Sequence, residues 1–448
     1  MGVCGGTITD HRRKMVTIRP EWRVYLLGAA LCVALTICAR NFADRGGPYF
    51  MVSLALGCVA YLLAIREFFA VSRFPRRVVI VGLILASVWH VAFLRVPPGP
   101  QEDIYRYVWD GHLQRLGYNP YLVIPSDPAA NALHTTETRK LNNPDLPSPY
   151  PAGAQLFFRI VTAIHESIFA LKVAFVICEF AIALVLLDVL RYNRRGSHLV
   201  LVYAWSPLLA VEVAGSGHID IVGALFLLVS AAALARRWRA TAAFSLGLAV
   251  AVKFLPIVLL PLYWKRIRIR DAALAAAVVG MLYLPFLSQG HIPTGSLGTY
   301  VQNWRFNGPV FAVLDRVVSP RSRAGMALLA GLATATWLRK SAPESSPNAF
   351  AWPMAATLVC APAVFPWYLL WLLPFLTSSS TLLIIIWTVS IILTYIEWHL
   401  QALGHPWGRL PGWVMPLEYG SVAVAAAIIW ARRRREHRNA GALPHRRL

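Results

Sequence analysis

The chain alternates between long apolar blocks and short polar connections. Blocks rich in Leu, Val, Ile and Ala predict helices at roughly 24–40, 48–65, 78–94, 168–190, 199–213, 219–235, 241–252, 254–264, 271–287, 322–338, 350–363, 367–378, 381–398 and 413–431. A helix that crosses a bilayer alone needs about 20 apolar residues. Several blocks are shorter, so those are expected as half-helices or as segments buried inside a bundle. The pattern predicts an all-α, polytopic transmembrane bundle of about 12–14 membrane helices, because each apolar block must satisfy its own backbone hydrogen bonds. There is no internal repeat and no low-complexity tract.

The cations orient this bundle. Arg12, Arg13 and Lys14 precede the first block, and Arg73, Arg76 and Arg77 follow the second. Arg191, Arg194 and Arg195, then Arg236, Arg237 and Arg239, then Lys265, Arg266, Arg268 and Arg270, then Arg339 and Lys340, then Arg432–Arg435 flank later blocks. Placing all of them in the cytoplasm is self-consistent. It predicts a cytoplasmic tail at 1–23, N-terminal transmembrane helices at 24–94 and an extracytoplasmic catalytic loop with surface helices at 95–167. A transmembrane bundle at 168–431 follows, with a second outside loop at 288–321, and a basic cytoplasmic tail closes the chain at 432–448. Segments 212–219, 364–366 and 399–412 fall outside as well. Residues 241–264 must begin and end inside yet are too few for two spans. They are expected as a short re-entrant pair, bent at Lys253-Phe254-Leu255-Pro256, where proline breaks the helix.

Composition sharpens this reading. Of 448 residues, 57% are hydrophobic and 14% charged. A soluble domain seldom exceeds about half apolar residues. The net charge of +22 would suit nucleic acid, but the cations sit beside apolar blocks, so membrane lipid is the expected partner and nucleic acid is not. Six cysteines are present and none lies in the long loop, so no disulfide framework is expected there. The first apolar block ends at Cys38-Ala39-Arg40 without a convincing cleavage site, and Met15 is an alternative start. The chain is expected in the cell inner (plasma) membrane, with both termini cytoplasmic and its chemistry on the extracytoplasmic face.

The chemistry-bearing residues gather in the outside segments. Glu102-Asp103-Ile104-Tyr105-Arg106-Tyr107-Val108-Trp109-Asp110-Gly111, then Gly117-Tyr118-Asn119-Pro120-Tyr121, follows the third block. On a helix, Asp103, Arg106 and Asp110 fall near one face. Sugar transfer needs a carboxylate within hydrogen-bond reach of an acceptor hydroxyl. The alternative is an interfacial helix with an aromatic belt. Asn142–Gln155 closes the loop, with Tyr150 and Gln155 in it, and on its own reads as a proline-stiffened cap. Gly217-His218-Ile219-Asp220 links two apolar blocks. His218 and Asp220 are candidates to bind a phosphate or a divalent cation, Mg or Mn. The other reading is that Asp220 stabilises the next helix N-terminus. Lys253 stands in an apolar run and needs an anion, such as a lipid phosphate, or must snorkel to the interface. Trp304-Arg305-Phe306-Asn307 combines a cation, rings and an amide suited to sugar or pyrophosphate. Trp367, Tyr368 and Trp371 read as interfacial anchors. Nucleotide-binding glycine loops, Gly-x-Ser-x-Gly and His-Glu-x-x-His are all missing.

The first-loop segment Asp103–Gly111 with Gly117–Tyr121 resembles the signature of bacterial, actinobacterial-type α-mannosyltransferases. These belong to the GT-C class of polyprenol-phosphate-sugar enzymes, to which the glycosyltransferase 87 family is close. Tyr150–Gln155, Gly217–Asp220, Trp304–Asn307 and Phe365–Tyr368 are similar to later motifs of that group, so the likeness covers roughly 95–375. It implies a GT-C-like fold and makes Asp103 the best match to the catalytic base. Many members of the class carry two acids separated by one residue, whereas here Ile104-Tyr105 follows Asp103 and the pair is either Glu102/Asp103 or Asp103/Asp110.

The expected function is transfer of a hexose, with mannose the first expectation, from a polyprenyl-phosphate-linked sugar donor to a glycan or glycolipid hydroxyl, with inversion. Asp103, Glu102 and Asp110 are the catalytic candidates. Arg106, Lys253, Arg305, His218 and Asp220 are candidates for the donor phosphate. Tyr105, Tyr107, Trp109, Asn119, Tyr121, Tyr150, Gln155, Trp304 and Asn307 are candidates for substrate contact. A lipid or glycan transporter or flippase is the rival from another class, and a polymer ligase or phosphotransferase the rival within enzymes.

Overall fold

A computed structural model describes residues 21–99, 102–287, 293–314, 317–342 and 346–441. The protein is 75% helical with no strand among the described residues. Helices α1 (Trp22–Arg40), α2 (Pro48–Ala70) and α3 (Arg76–Leu94) form the N-terminal apolar group. The first loop then carries α4 (Asp103–Arg115) and α5 (Ala152–Ile164), and α6 (Ile168–Tyr192) follows.

Among the described residues seven helices are long and apolar enough to cross a membrane, or up to eight if the bent pair Ser197–Ala204 and Pro207–Ser216 is one span. Several other expected spans form shorter elements. Asp220–Ala235, Arg239–Val252 and Pro347–Val359 have 16, 14 and 13 residues, and 367–378 is mostly 3-10 turns. Buried among neighbours, such segments need not match the bilayer thickness. Arg239–Val252 ends just before Lys253, whose backbone is extended (φ −162°, ψ 144°), and Leu255–Leu259 continues as a 3-10 turn with Pro256 in it. The chain thus breaks where the proline lies.

Two local features position the site. The first is α4, whose polar sequence suggests a surface but whose residues from Ile104 to Gly111 are all buried. It packs on α5 so closely that a Cβ at Gly111 would stand 2.8 Å from the Phe158 carbonyl oxygen. The second is the π-helical turn Ala210–Ser216, ended by Gly217 at φ +80°. Both the Gly217 and His218 amides donate to the Glu212 carbonyl, at 3.1 and 3.0 Å. A left-handed residue there suits glycine, and a Cβ would meet Ile104 at 2.5 Å. The second loop is tied in by a short bridge, Phe306 N–H to the Pro362 carbonyl (3.1 Å) and Val364 N–H to the Phe306 carbonyl (2.7 Å).

Candidate functional site

Residues far apart in sequence line one cavity of about 330 Å³. One wall holds Glu102, Asp103, Asn142 and Tyr150 from the first loop. Lys253 and Phe254 at the helix break also line it, with Tyr300 and Trp304 from the second loop. Phe365, Trp367, Tyr368, Trp398 and Trp407 complete an aromatic side.

The acids on this wall have different partners. Glu102 is 3% exposed and ion-paired with Arg45, which reaches it from the turn between α1 and α2. Trp398 Nε1 also donates to Glu102 Oε1 at 3.1 Å. Arg45 in turn donates to Ser216 Oγ (2.5 Å) and lies over the Trp398 ring, 4.5 Å from its centroid. Asp103 accepts from Asn142 Nδ2 at 2.6 Å and stands 3.9 Å from His218 Nδ1. Its side chain is 21% exposed. Beneath both acids lies His218, 1% exposed, with Nε2 3.0 Å from Glu212 Oε2 and its ring stacked on Trp367 at 4.1 Å. Glu212 also accepts from the Tyr395 hydroxyl.

Lys253 brings an ammonium to the cavity lining. Its Nζ donates to Asp220 Oδ1 and Oδ2 at 2.7 and 3.0 Å and sits 4.3 Å from the Tyr368 ring centroid. Asp220 is fully buried and accepts a further bond from Trp371 Nε1 at 2.7 Å. The carboxylate anchors the ammonium by two hydrogen bonds while leaving it at the cavity surface. Tyr300 stacks on Trp304 at 4.9 Å and hydrogen-bonds Tyr368, fixing the rings beside it.

A cavity that joins an exposed carboxylate, an anchored ammonium and aromatic walls suits group transfer between sugar ligands. The comparison with known families decides the class. Residues 31–267, just over half of the chain, match the family described as alpha-(1->6)-mannopyranosyltransferase, N-terminal domain (MptA_B family). The chain belongs to this family. With its apolar helices, it is a membrane glycosyltransferase. No curated protein and no solved structure matches it. The segment matched to the mannosyltransferase family carries Arg45, Asp103, His218, Asp220 and Lys253. The walls from Tyr300, Trp367 and Trp407 lie beyond it.

The structure sorts the residues singled out by sequence in this glycosyltransferase. Glu102, Asp103, Arg106, Lys253, Tyr150 and Trp304 line the cavity, and His218 and Asp220 lie directly behind it. Asp110 does not line it. It is fully buried, accepting from Ser148 Oγ (2.5 Å) and Gln155 Nε2 (2.8 Å). Burial pushes its carboxyl up to about 6, against the Arg106 charge and these two hydrogen bonds. Gln155 is spent on the same network. Arg106 donates to the carbonyls of Leu146 (3.0 Å), Asn142 (2.7 Å) and Asn143 (2.7 Å), so its guanidinium braces the loop at the cavity edge.

The remaining candidates have partners within the protein. Tyr107 stacks on Phe158 (4.4 Å) and Trp109 on His134 (4.2 Å), both buried. Tyr105 is buried with its hydroxyl 3.5 Å from the Pro98 carbonyl. Asn119 donates to the Phe286 carbonyl (2.9 Å) and Tyr121 to the Tyr150 carbonyl (2.6 Å). Asn307, at φ +53°, donates to Glu418 Oε2 (2.9 Å). Arg305 lies beside the Phe311 ring, 5.4 Å from its centroid, and is not on the cavity wall. Trp367, Tyr368 and Trp371, expected as interfacial anchors, face the site or its buried acid instead. Arg45, Glu212, Trp398 and Trp407 escaped the sequence reading. Glu212 had a usable signal, a lone acid in an apolar run like Lys253. Among the described residues no group of three or more His, Cys, Asp or Glu could hold a metal ion, so the expected Mg or Mn finds no ligand set there.

Proposed function

We propose that this protein transfers mannose from a polyprenyl-phosphate donor to a hydroxyl of a glycan or glycolipid, on the extracytoplasmic face and with inversion, with Asp103 as general base. The observation that carries this reading is the contrast between two neighbouring acids. Glu102 is buried in an ion pair with Arg45, whereas Asp103 reaches the cavity with no Arg or Lys paired to it among the described residues, held by the Asn142 amide and the Tyr150 hydroxyl and flanked by His218. In the step, the acceptor oxygen attacks the anomeric carbon while its proton passes to Asp103. The bond from that carbon to the lipid phosphate oxygen breaks, and the electron pair leaves with the phosphate. Lys253 stabilises the charge that develops there. One displacement of this kind inverts the anomeric centre, as in single-displacement glycoside chemistry.

The extracytoplasmic side is supported by the cations. The segments that a cytoplasmic placement of Arg and Lys leaves outside contribute Asp103, His218, Trp304 and Trp407 to the same site. No nucleotide sugar is at hand there, so an activated lipid-linked donor suits the site. The family description supports mannose as the sugar and an α-(1→6) bond as the first linkage to test.

The test is transfer from radiolabelled polyprenyl-phosphate-mannose in membranes carrying the wild type or Asp103→Asn. Label in a glycan or glycolipid with the wild type alone is the expected result. Retained turnover in Asp103→Asn would remove Asp103 from the role of base.

A further inference from the structure

Five rings from four chain segments form one nearly parallel stack. It starts at buried His218 on Trp367 (4.1 Å, 10°) and runs through Phe365 (4.5 Å, 5°) and Phe306 (4.5 Å, 12°) to Trp407 (6.0 Å, 8°). Exposure changes sharply along it. His218 is 1% and Phe306 3% exposed, whereas Trp407 is 42% exposed. Each inner ring has its faces covered by neighbours, and Trp407 ends the stack on the cavity lining.

Trp407 is also held in place. Trp398 packs edge-on against it at 5.2 Å. The loop that carries it is fixed by Glu397, a 1% exposed acid whose Oε1 accepts from the backbone N–H of Gly408 (2.5 Å) and Arg409 (3.3 Å). Gly408 takes the left-handed φ of +85° that this turn uses. A buried carboxylate spent on two loop amides orients the loop, and the side chain at its tip is a tryptophan.

The contacts place Trp407 on the side of the acids. Trp398, which touches it, donates to Glu102, the neighbour of Asp103. Lys253 is reached through Tyr368, Tyr300 and Trp304, and Tyr368 meets the inner rings of the stack edge-on at Phe365 (5.6 Å) and Trp367 (6.0 Å), not at Trp407. In a single displacement the acceptor approaches from the face opposite the leaving phosphate, and so from the base side.

We propose that Trp407 is the platform for the acceptor, stacking the sugar ring whose hydroxyl is delivered to Asp103, with Glu397 as its positioning residue. The inference rests on the transfer reading above and adds the acceptor subsite to it. The apolar face of a hexose matches an aromatic face in area and geometry, and tryptophan offers the largest rigid one. The subsite lies outside the segment matched to the family, so it would set which acceptor this chain uses.

The test uses the full-length protein in nanodiscs and a radiolabelled short-chain alkyl mannoside as probe. Binding of the probe and its KM as acceptor are measured for the wild type, Trp407→Ala, Trp407→Leu and Trp407→Phe, with the KM of polyprenyl-phosphate-mannose alongside. Trp407→Ala and Trp407→Leu are expected to raise the mannoside Kd and acceptor KM roughly tenfold. Donor KM should stay within about twofold, and Trp407→Phe should restore most of the loss. Equal mannoside binding in wild type and Trp407→Ala overturns the platform, as does a wild type that binds no mannoside. A Trp407 that only anchors the loop at the membrane surface would show lowered thermal stability with acceptor binding unchanged, which also overturns it. If mannoside binds through Trp407 but no mannose is transferred from the lipid donor, the platform stands and the transfer reading fails.

Discussion

Arg45 and Glu102 form an ion pair in which each side chain is 3% exposed. The pair ties the turn between α1 and α2 to the residue that opens the first loop, and so fixes where Asp103 begins α4. Removing one partner leaves a buried charge without compensation, which costs about 3–5 kcal/mol, whereas removing both costs far less. Arg45→Met is therefore expected to unfold at a markedly lower temperature than Arg45→Met/Glu102→Gln. Thermal melts of the purified variants check this. A double variant no more stable than the single one would mean that the pair does not hold the loop.

Asp110 gives a pH signature. Its carboxyl stands at about 6 in the folded chain against an ordinary 3.8, chiefly because burial disfavours the charged form. The folded state thus holds the proton more tightly than the unfolded state. Its contribution to stability is full below about pH 4 and is lost as pH rises through about 6, amounting to about 3 kcal/mol. Asp110→Asn has no proton to lose. Between pH 4 and 6 the unfolding temperature of the wild type should fall relative to that of Asp110→Asn, and parallel curves would contradict the assignment.

The apolar blocks made the helical bundle legible, because helices in a bilayer must be long runs of apolar residues. Their lengths also marked those too short to span alone, and Asp220–Ala235 and Arg239–Val252 are indeed helices of 16 and 14 residues. Lys253 stood out through the cost of an ionisable group within an apolar run, whereas Asp103 stood out through the likeness of its loop segment to a known signature. The distinction among Glu102, Asp103 and Asp110 was not legible. It depends on Arg45, 57 residues from Glu102, and on Ser148, 38 residues from Asp110. Helical spacing set Arg106 beside Asp103 and Asp110 but gave no hint of the three carbonyls that claim it. Trp407 was hidden because its partner ring, Phe306, lies in another loop.

Arg106 separates a structural from a binding role. Its three carbonyl partners span 142–146 and brace the loop that supplies Asn142 to Asp103. Arg106→Met leaves those carbonyls without a charged donor, at about 1.5–3 kcal/mol for bonds of this kind. Limited trypsin digestion at exposed Arg139 and Lys140 should speed up several-fold in the variant, and kcat should fall as Asp103 loses its brace. Donor KM should change little. A large rise in donor KM with unchanged proteolysis would return Arg106 to the phosphate.

Lys253 carries the opposite expectation, and its pair with Asp220 must be controlled for. Lys253→Met deprives buried Asp220 of its cation, although Trp371 still donates to that acid. The single variant therefore loses both stability and any stabilisation of the leaving phosphate. In Lys253→Met/Asp220→Asn the uncompensated charge is gone, so the unfolding temperature should recover towards wild type. Turnover should not recover with it. Loss of one donor aimed at developing charge lowers kcat by roughly 10²–10³-fold, and the double variant should stay at that level. Lys253→Arg keeps the charge and should retain more activity than either. Recovery of turnover together with stability in the double variant would make Lys253 a partner of Asp220 alone and leave the phosphate to another group.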